Sequence, residues 1–307
     1  MKGPLLCVLC LCLCQVTDGK VNFPVNTLGM NPDALDDQYE GCVDEMENWI
    51  ATSLLEEEKL RDSDFKKAWN NATLAWPAKK RSLTSLPKGF KDNHGIALMA
   101  YTNMDIPLYR RFNKAVREFR APYKNFPFKT LHLYLTTALQ LLRSDCHGTP
   151  HKVYRGFSGV QFQHPNILEQ NIRLGQFTSV TLDLNVAKSF GNSAIFSLST
   201  CFGVDIQKFS YYPEQKELLI PMDEQFQVTQ FNEKGNMFLI KSTQKRCHYY
   251  NCVFLKGGKG KTCKPSSDFP TNRHMGMSEC KISRAEYHYA KLARCIHHSE
   301  TNRGSKP

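Results

Sequence analysis

FKTLHLYLTTALQLLR (residues 128–143) and, eight residues further on, KVYRGF (residues 152–157) mark the point where the chain changes its period. In the first stretch Leu131, Leu135, Ala138, Leu139 and Leu142 recur at three and four residues, one apolar face of a helix. The second is short, β-branched and aromatic, the pattern of a strand. Upstream of the switch, residues 33–145 read as helical. Asp36 or Asp37 is the expected cap of a helix through Tyr39, Cys42, Met46 and Ile50. Further helices are expected over Phe65–Ala75, Asn93–Tyr101 and Tyr109–Phe119, the last with Phe112, Val116 and Phe119 on one face. Downstream, residues 152–255 read as strands: KVYRGF, IRLGQFTSVTL, AIFSLST, ELLIP, FQVTQF, MFLIKST and YYNCVFL, broken by a helical LNVAKSFG near Val186. Helices followed by strands predict an α+β fold and argue against an alternating parallel α/β one. From Lys256 onward the chain is basic and Gly/Lys-rich (KGGKGK), with a short helix expected in ISRAEYHYAKLARC.

The 307 residues, 41% hydrophobic and 22% charged, suit a globular protein with a sizeable core. Lys2, the apolar run Leu5–Cys14 and the small Thr17 and Gly19 have the order of a secretory signal peptide, placed at residues 1–19. Eight cysteines remain after its removal: Cys42, Cys146, Cys201, Cys247, Cys252, Cys263, Cys280 and Cys295. An even number in a secreted chain implies disulfides, and eight cysteines allow 105 pairings, so connectivity stays open. Paired C-x-x-C knuckles are missing and no metal is expected. Asn71-Ala72-Thr73 is an N-glycosylation acceptor. With no second long apolar segment and a polar C-terminus, the expectation is a secreted, soluble monomer without a membrane anchor. Most of the net charge of +11 sits in the basic tail: eleven Lys/Arg against four Asp/Glu from Lys256 to Pro307. A solvated tail without a specific nucleic-acid partner is the simplest reading of it.

Three places in the strand region can carry chemistry. Arg155 lies in V-Y-R-G, inside an apolar strand, where its charge must be paired, and a guanidinium there can grip a phosphate or a carboxylate with two bonds. Gly156 beside it would let a ligand approach the backbone. In G-Q-F-T-S-V-T (Gly175–Thr181), Ser179 and Thr181 alternate and share one face of a strand. In Y-Y-P-E-Q-K-E-L-L-I-P (Tyr211–Pro221), Glu217 opens an apolar strand just after a Pro-led turn, and Gln215 shares its face if that turn is extended. Nothing matches a G-x-S-x-G elbow, a His-rich metal motif or a phosphate-cradling Gly loop.

In order, these three pieces resemble the Arg–Ser–Glu signature of mono-ADP-ribosyltransferases, above all the vertebrate ecto-enzymes that modify arginine. The likeness extends over roughly residues 33–264 through DDQYEGC (36–42), FKDNHGIALMAY (90–101), ALQLLR (138–143), RLGQFTS (173–179), TCFG (200–203), ELLIP and YNC (250–252). It implies a helical N-terminal part packed on a two-sheet β core with an NAD cleft, a catalytic domain over residues 20–264, and a basic, partly disordered tail over 265–307. It also implies the bridges Cys42–Cys252 and Cys146–Cys201, with Cys247 and Cys263 at family-like positions. Arg155 would hold the phosphate side of NAD, Ser179 would brace the nicotinamide-ribose region, and Glu217 would be the catalytic carboxylate. Tyr101, Gly156, Phe190 and Ser210 sit at positions that look like NAD contacts. NAD would be a substrate, and arginine side chains of extracellular or cell-surface proteins the acceptors.

One departure matters. Arginine-modifying members carry Glu-x-Glu where this chain has Gln215-Lys216-Glu217. The first Glu would activate the acceptor guanidinium, and an amide carries no charge and is no useful base. Glu214 is adjacent but should start on the other face. Thr181 stands where Ser is usual, and Met222-Asp223 where a proline is usual. Two alternatives therefore accompany the transferase reading: an NAD glycohydrolase with little arginine transfer, and an inactive secreted binding protein.

Overall fold

The computed structural model describes residues 25–119, 122–144, 146, 150–162, 168–256 and 259–266. The expected signal segment, Cys280, Cys295 and the expected helix 282–295 lie outside the described residues. After a two-residue strand β1 (Val25–Asn26), α1 (Val43–Trp49) runs through a π-turn (Ile50–Leu54) into α2 (Leu55–Arg61). Then come α3 (Ser63–Arg81), α4 (Asp92–Thr102), α5 (Leu108–Arg117) and α6 (Lys129–Leu142). Side-chain carboxylates satisfy the first amides of two of these helices, as a helix start requires. Asp62 accepts from Asp64 and Phe65 at the head of α3. Glu58, from α2, accepts from the amides of Lys129 (2.6 Å) and Thr130 (3.1 Å) at the head of α6.

Neither Asp36 nor Asp37 caps the helix that follows it in sequence, contrary to expectation. Asp36 accepts from the amides of Tyr249 and Tyr250 and pairs with Arg173. Asp37 accepts from the amides of Cys252 (2.8 Å) and Val253 (2.9 Å). Both carboxylates clasp the N-terminal segment to a turn more than 200 residues away, and α1 starts only at Val43. The disulfide Cys42–Cys252 closes the same junction, and Cys146–Cys201 and Cys247–Cys263 are bonded as well.

The second half consists of β2 (His151–Phe157), β3 (Gln161–Phe162), β4 (Asn171–Ile172), β5 (Thr178–Thr181), α7 (Leu184–Ser189), β6 (Ala194–Thr200), β7 (Val204–Asp205), β8 (Glu217–Ile220), β9 (Glu224–Asn232), β10 (Met237–Tyr250), α8 (Val253–Lys256) and β11 (Lys259–Pro265). Two sequence expectations change here. IRLGQFTSVTL is two short strands, because Gly175 turns the chain with φ +68° against Asn31. YYNCVFL is strand only to Tyr250 and then turns into α8, while the Lys-rich segment after it is the paired strand β11 and not part of a tail.

The main sheet has the order β4-β9-β10-β6-β2-β5-β8-β7, with β11 on β10 and β1 paired separately with β3. Its two halves meet at β2 and β5, which share a single pair, Tyr154 with Thr181. The expected two sheets are therefore one ladder that nearly splits at that point. Alternation along β5 and β8 sends Val180, Leu218 and Ile220 into the core of the sheet. Leu219 and Phe177 go the other way, into the helical core. Ser179 pairs with Leu219 and Thr181 with Glu217, so all three polar residues look toward the helices.

Candidate active site

Glu217 is the first residue of β8, and the turn before it is fixed by its own backbone. Pro213–Gln215 makes one 3-10 turn, and Lys216 reverses the chain in the left-handed region (φ +48°). The turn is not extended. It is pinned to β5 by the Thr181 hydroxyl donating to the Gln215 carbonyl (2.7 Å) and the Leu182 amide donating to the Lys216 carbonyl (3.3 Å). Gln215 faces the same opening as Glu217 all the same, its amide 3.1 Å from the Met104 sulfur, whereas Glu214 is exposed and lines nothing there.

Arg155 comes from β2, where its guanidinium donates to the Ser179 carbonyl (2.6 Å) and lies 5.3 Å from the Phe157 ring centre. Among the described residues no carboxylate lies within ion-pair distance of it. Ser179 places its hydroxyl 3.5 Å from the Tyr101 hydroxyl. Tyr101, on α4, donates to the Phe177 carbonyl (3.1 Å) and accepts from the Asn113 amide (3.0 Å). Helix α4 thus presses one phenol onto the strand that carries the serine.

Charge in this opening is poised by burial. The Glu217 carboxyl is held above the usual range because burial disfavours its anion; the Ser179 hydroxyl and the positive charge of Arg155 pull it partly back. Burial likewise lowers the affinity of Arg155 for its proton, and Tyr101, Tyr109 and Glu217 oppose that. The Tyr101 phenol is pushed up to about 12, first by burial. It is neutral at any physiological pH.

Tyr101, Arg155, Gly156, Ser179, Phe190, Gln215 and Glu217 line one cleft of about 430 Å³. Ser210 is not among them: it is fully buried, and its hydroxyl accepts from the Tyr212 amide. Gly156 has a reason that the sequence does not show. A Cβ there would stand 2.1 Å from the Ala187 carbonyl and 2.3 Å from that of Gly191, so the glycine admits α7 and its following turn against β2. Met104, Tyr109, Arg110 and Tyr154 also line the cleft and were not legible from local pattern. The one available signal was a polar tip at the end of an apolar face, which Tyr109 has. A second cavity, beside Asp36 and Asp223, measures about 20 Å³ and has room for little more than a water. Among the described residues no group of three metal-ligating side chains converges, and no helix is long and apolar enough to cross a membrane. Asn71 stands exposed on α3.

Comparison with known proteins agrees with this arrangement. Residues 28–248 match the family described as NAD:arginine ADP-ribosyltransferase. Ecto-ADP-ribosyltransferase 5 of Homo sapiens is 44% identical over 249 residues, 78% of this chain and 84% of that protein. T-cell ecto-ADP-ribosyltransferase 1 of Rattus norvegicus is 41% identical over 237 residues, 76% of this chain and 82% of that protein. The crystal structure of the eucaryotic mono-ADP-ribosyltransferase ART2.2 superposes with a TM-score of 0.65 at 40% identity, covering 75% of this chain and all of that one. A point mutant of the same enzyme in complex with NAD superposes with a TM-score of 0.64 at 38% identity, with the same coverage.

Proposed function

We propose that this chain, which belongs to the NAD:arginine ADP-ribosyltransferase family, is a secreted enzyme that cleaves NAD at the nicotinamide–ribose bond and passes ADP-ribose to arginine side chains of extracellular proteins. The observation that carries this reading is the convergence of Arg155, Ser179 and Glu217, from three different strands, on one cleft of dinucleotide size.

The residues fit the substrate. A half-buried guanidinium without a carboxylate partner among the described residues is costly unless an anion comes to it, and Arg155 can offer donors to a diphosphate. Tyr101 and Phe190 give the cleft aromatic walls, Phe190 being 47% exposed at its mouth. Breaking the nicotinamide–ribose bond builds positive charge on the sugar, as in glycoside cleavage. The Glu217 carboxylate stabilises that charge, and in a partly desolvated site its effect exceeds what it would be in water. Ser179 braces the nicotinamide-ribose region. Nicotinamide is a good leaving group, so no strong general acid is required. We assign the catalytic unit to residues 20–264 and the N-glycan to Asn71, and we read the protein as a monomer.

Gln215 favours a second reading, NAD glycohydrolysis with weak arginine transfer. It stands in the cleft beside Glu217, hydrogen-bonds only weakly to a thioether, and has no charge with which to draw a guanidinium. NAD labelled in its adenine half, given to the secreted protein with an arginine analogue, separates the readings. Labelled arginine adduct supports the transferase. Free ADP-ribose alone makes it a glycohydrolase, and Gln215→Glu should then restore transfer. Neither product removes both. Retention on the cell surface after a high-salt wash, with release by phospholipase, would replace the secreted reading by a lipid-anchored one.

A further inference from the structure

The segment that carries Gln215 is held by side chains at both ends. At its entrance Lys79 of α3 donates to the Ser210 carbonyl (2.7 Å), and the Ser210 hydroxyl accepts from the Tyr212 amide (3.0 Å). At its exit the ladder between β5 and β8 ends on the pair Thr181 with Glu217. One backbone bond reaches past that pair, from the Leu182 amide to the Lys216 carbonyl (3.3 Å). The next carbonyl, that of Gln215, is taken by a side chain: the Thr181 hydroxyl donates to it at 2.7 Å.

That hydroxyl is engaged on both sides. Thr181 is buried, its one proton goes to Gln215, and its oxygen accepts from the Asp183 amide (3.1 Å). Asp183 in turn caps α7, accepting from the Asn185 amide (2.8 Å). A buried hydroxyl with donor and acceptor both in use holds one direction, because turning it would leave two buried groups unpaired. What it holds is the backbone of Gln215, whose side chain stands in the cleft beside Glu217, its amide 3.1 Å from the Met104 sulfur. Glu217 is held by other means. Its backbone lies in the ladder, and its carbonyl accepts from the Ile206 amide (3.1 Å).

Resting on the transferase reading above, we infer that Thr181 is a positioning residue for the acceptor: by fixing the Gln215 turn it sets how ADP-ribose divides between arginine and water. Nicotinamide leaves with the electron pair of its ribose bond. The sugar carbon then bonds either to a guanidine nitrogen or to a water oxygen, and the new partner gives up one proton to solvent. Water reaches an open cleft without being placed, whereas a guanidine must be held in one geometry to compete with it. Loosening the turn therefore costs transfer more than it costs cleavage. The Lys79 contact and the ladder stay in place, so the loss is confined to the exit of the turn.

The test uses the full chain as wild type, Thr181→Val and Thr181→Ser, with NAD and free L-arginine. Arginine adduct and free ADP-ribose are measured together, with a thermal melt for each chain. Thr181→Val removes the hydroxyl at nearly constant volume. It should lower the ratio of adduct to free ADP-ribose about three- to tenfold, the size of one lost hydrogen bond. Total NAD cleavage should fall by less than the adduct does. Thr181→Ser keeps the hydroxyl and should return the ratio to the wild-type value. A merely structural role would lower the melting temperature and reduce both products together at an unchanged ratio, and that result overturns the inference. So does a serine variant whose ratio falls as far as that of valine. If Thr181→Val does not fold, the smaller Thr181→Ala is read in the same way. If the wild type forms free ADP-ribose alone, the series is run on Gln215→Glu, and a Gln215→Glu chain that also forms no adduct overturns the inference. A wild type that forms neither product brings down the catalytic reading and this inference with it, whereas a working wild type with an unchanged ratio in Thr181→Val brings down the inference alone.

Discussion

Two arginines sit in nearly the same sequence context, V-Y-R-G at Arg155 and I-R-L-G at Arg173, and the structure puts them to opposite uses. Arg173 is completely buried. It pairs with Asp36, and it donates to the carbonyls of Met30 (2.9 Å), Asn31 (3.2 Å) and Cys247 (2.8 Å). Every part of the guanidinium is engaged, and it lies 4.8 Å from the Tyr249 ring centre. Arg155 is half-buried, has one carbonyl and one ring as neighbours, and opens onto the cleft. An arginine fully answered by its own chain is part of the clasp that joins the N-terminal segment to the end of β10. An arginine left unanswered is available to something else. The partner set distinguishes them, and the residue type does not.

The comparison can be broken in several ways, the largest effects lying in the clasp. Replacing Cys42 and Cys252 together by alanine opens a loop of 210 residues. By chain entropy this should cost about 5 kcal/mol, read in denaturant unfolding, with little change in kcat of the folded fraction. Arg173→Met leaves Asp36 buried without its cation and should cost about 3–5 kcal/mol by the same measurement. A clasp variant that keeps its stability would mean that the clasp is not what closes the fold.

The cleft should respond in the other currency, turnover. Glu217→Gln should lower kcat roughly 10²- to 10³-fold, the usual loss for removing a group that stabilises transition-state charge. It should not lower the melting temperature at neutral pH. The sign follows from linkage: folding raises the affinity of Glu217 for its proton, so the folded state binds more protons than the unfolded one between the ordinary and the raised value. The contribution of that carboxyl is complete in acid and is lost as pH rises through the raised value, and glutamine has no such loss. An unchanged rate would remove Glu217 from the reaction. For the wild type, kcat/KM should fall as pH drops through the same raised value, so the acid limb should lie above the ordinary carboxylate range. A limb within that range would mean that burial does not poise the site. The smallest effect is expected of Arg155→Met: roughly tenfold in KM for NAD, about one charge-assisted bond, with stability within about 0.5 kcal/mol. If it unfolds the protein, Arg155 is a second Arg173.

The helices over 63–81, 92–102, 108–117 and 129–142 and the strands around Arg155, Ser179 and Glu217 were readable because period is local. The failures came where a residue answers something distant. Asp36 and Asp37 look like caps, since an acid before an apolar run usually is one, yet they hold amides at 249–253. Gly156 reads as room for a ligand and does line the cleft, but its missing Cβ also makes room for α7, which the sequence does not show. Ser210 reads as a cleft residue and is enclosed. Asn113 is one polar residue on an apolar helix face and carries no signal at all without Tyr101 beside it.

The sequence by itself determined the change from helix to strand, the class of fold, and which residue types could meet a diphosphate or a developing sugar cation, because side-chain period and chemical type travel with the chain. Only the tertiary structure decided which charges are already answered. Arg173 finds its carboxylate 137 residues away, and Arg155 finds none among the described residues; a buried charge must be neutralised by whatever the fold brings to it, and that choice is made in space.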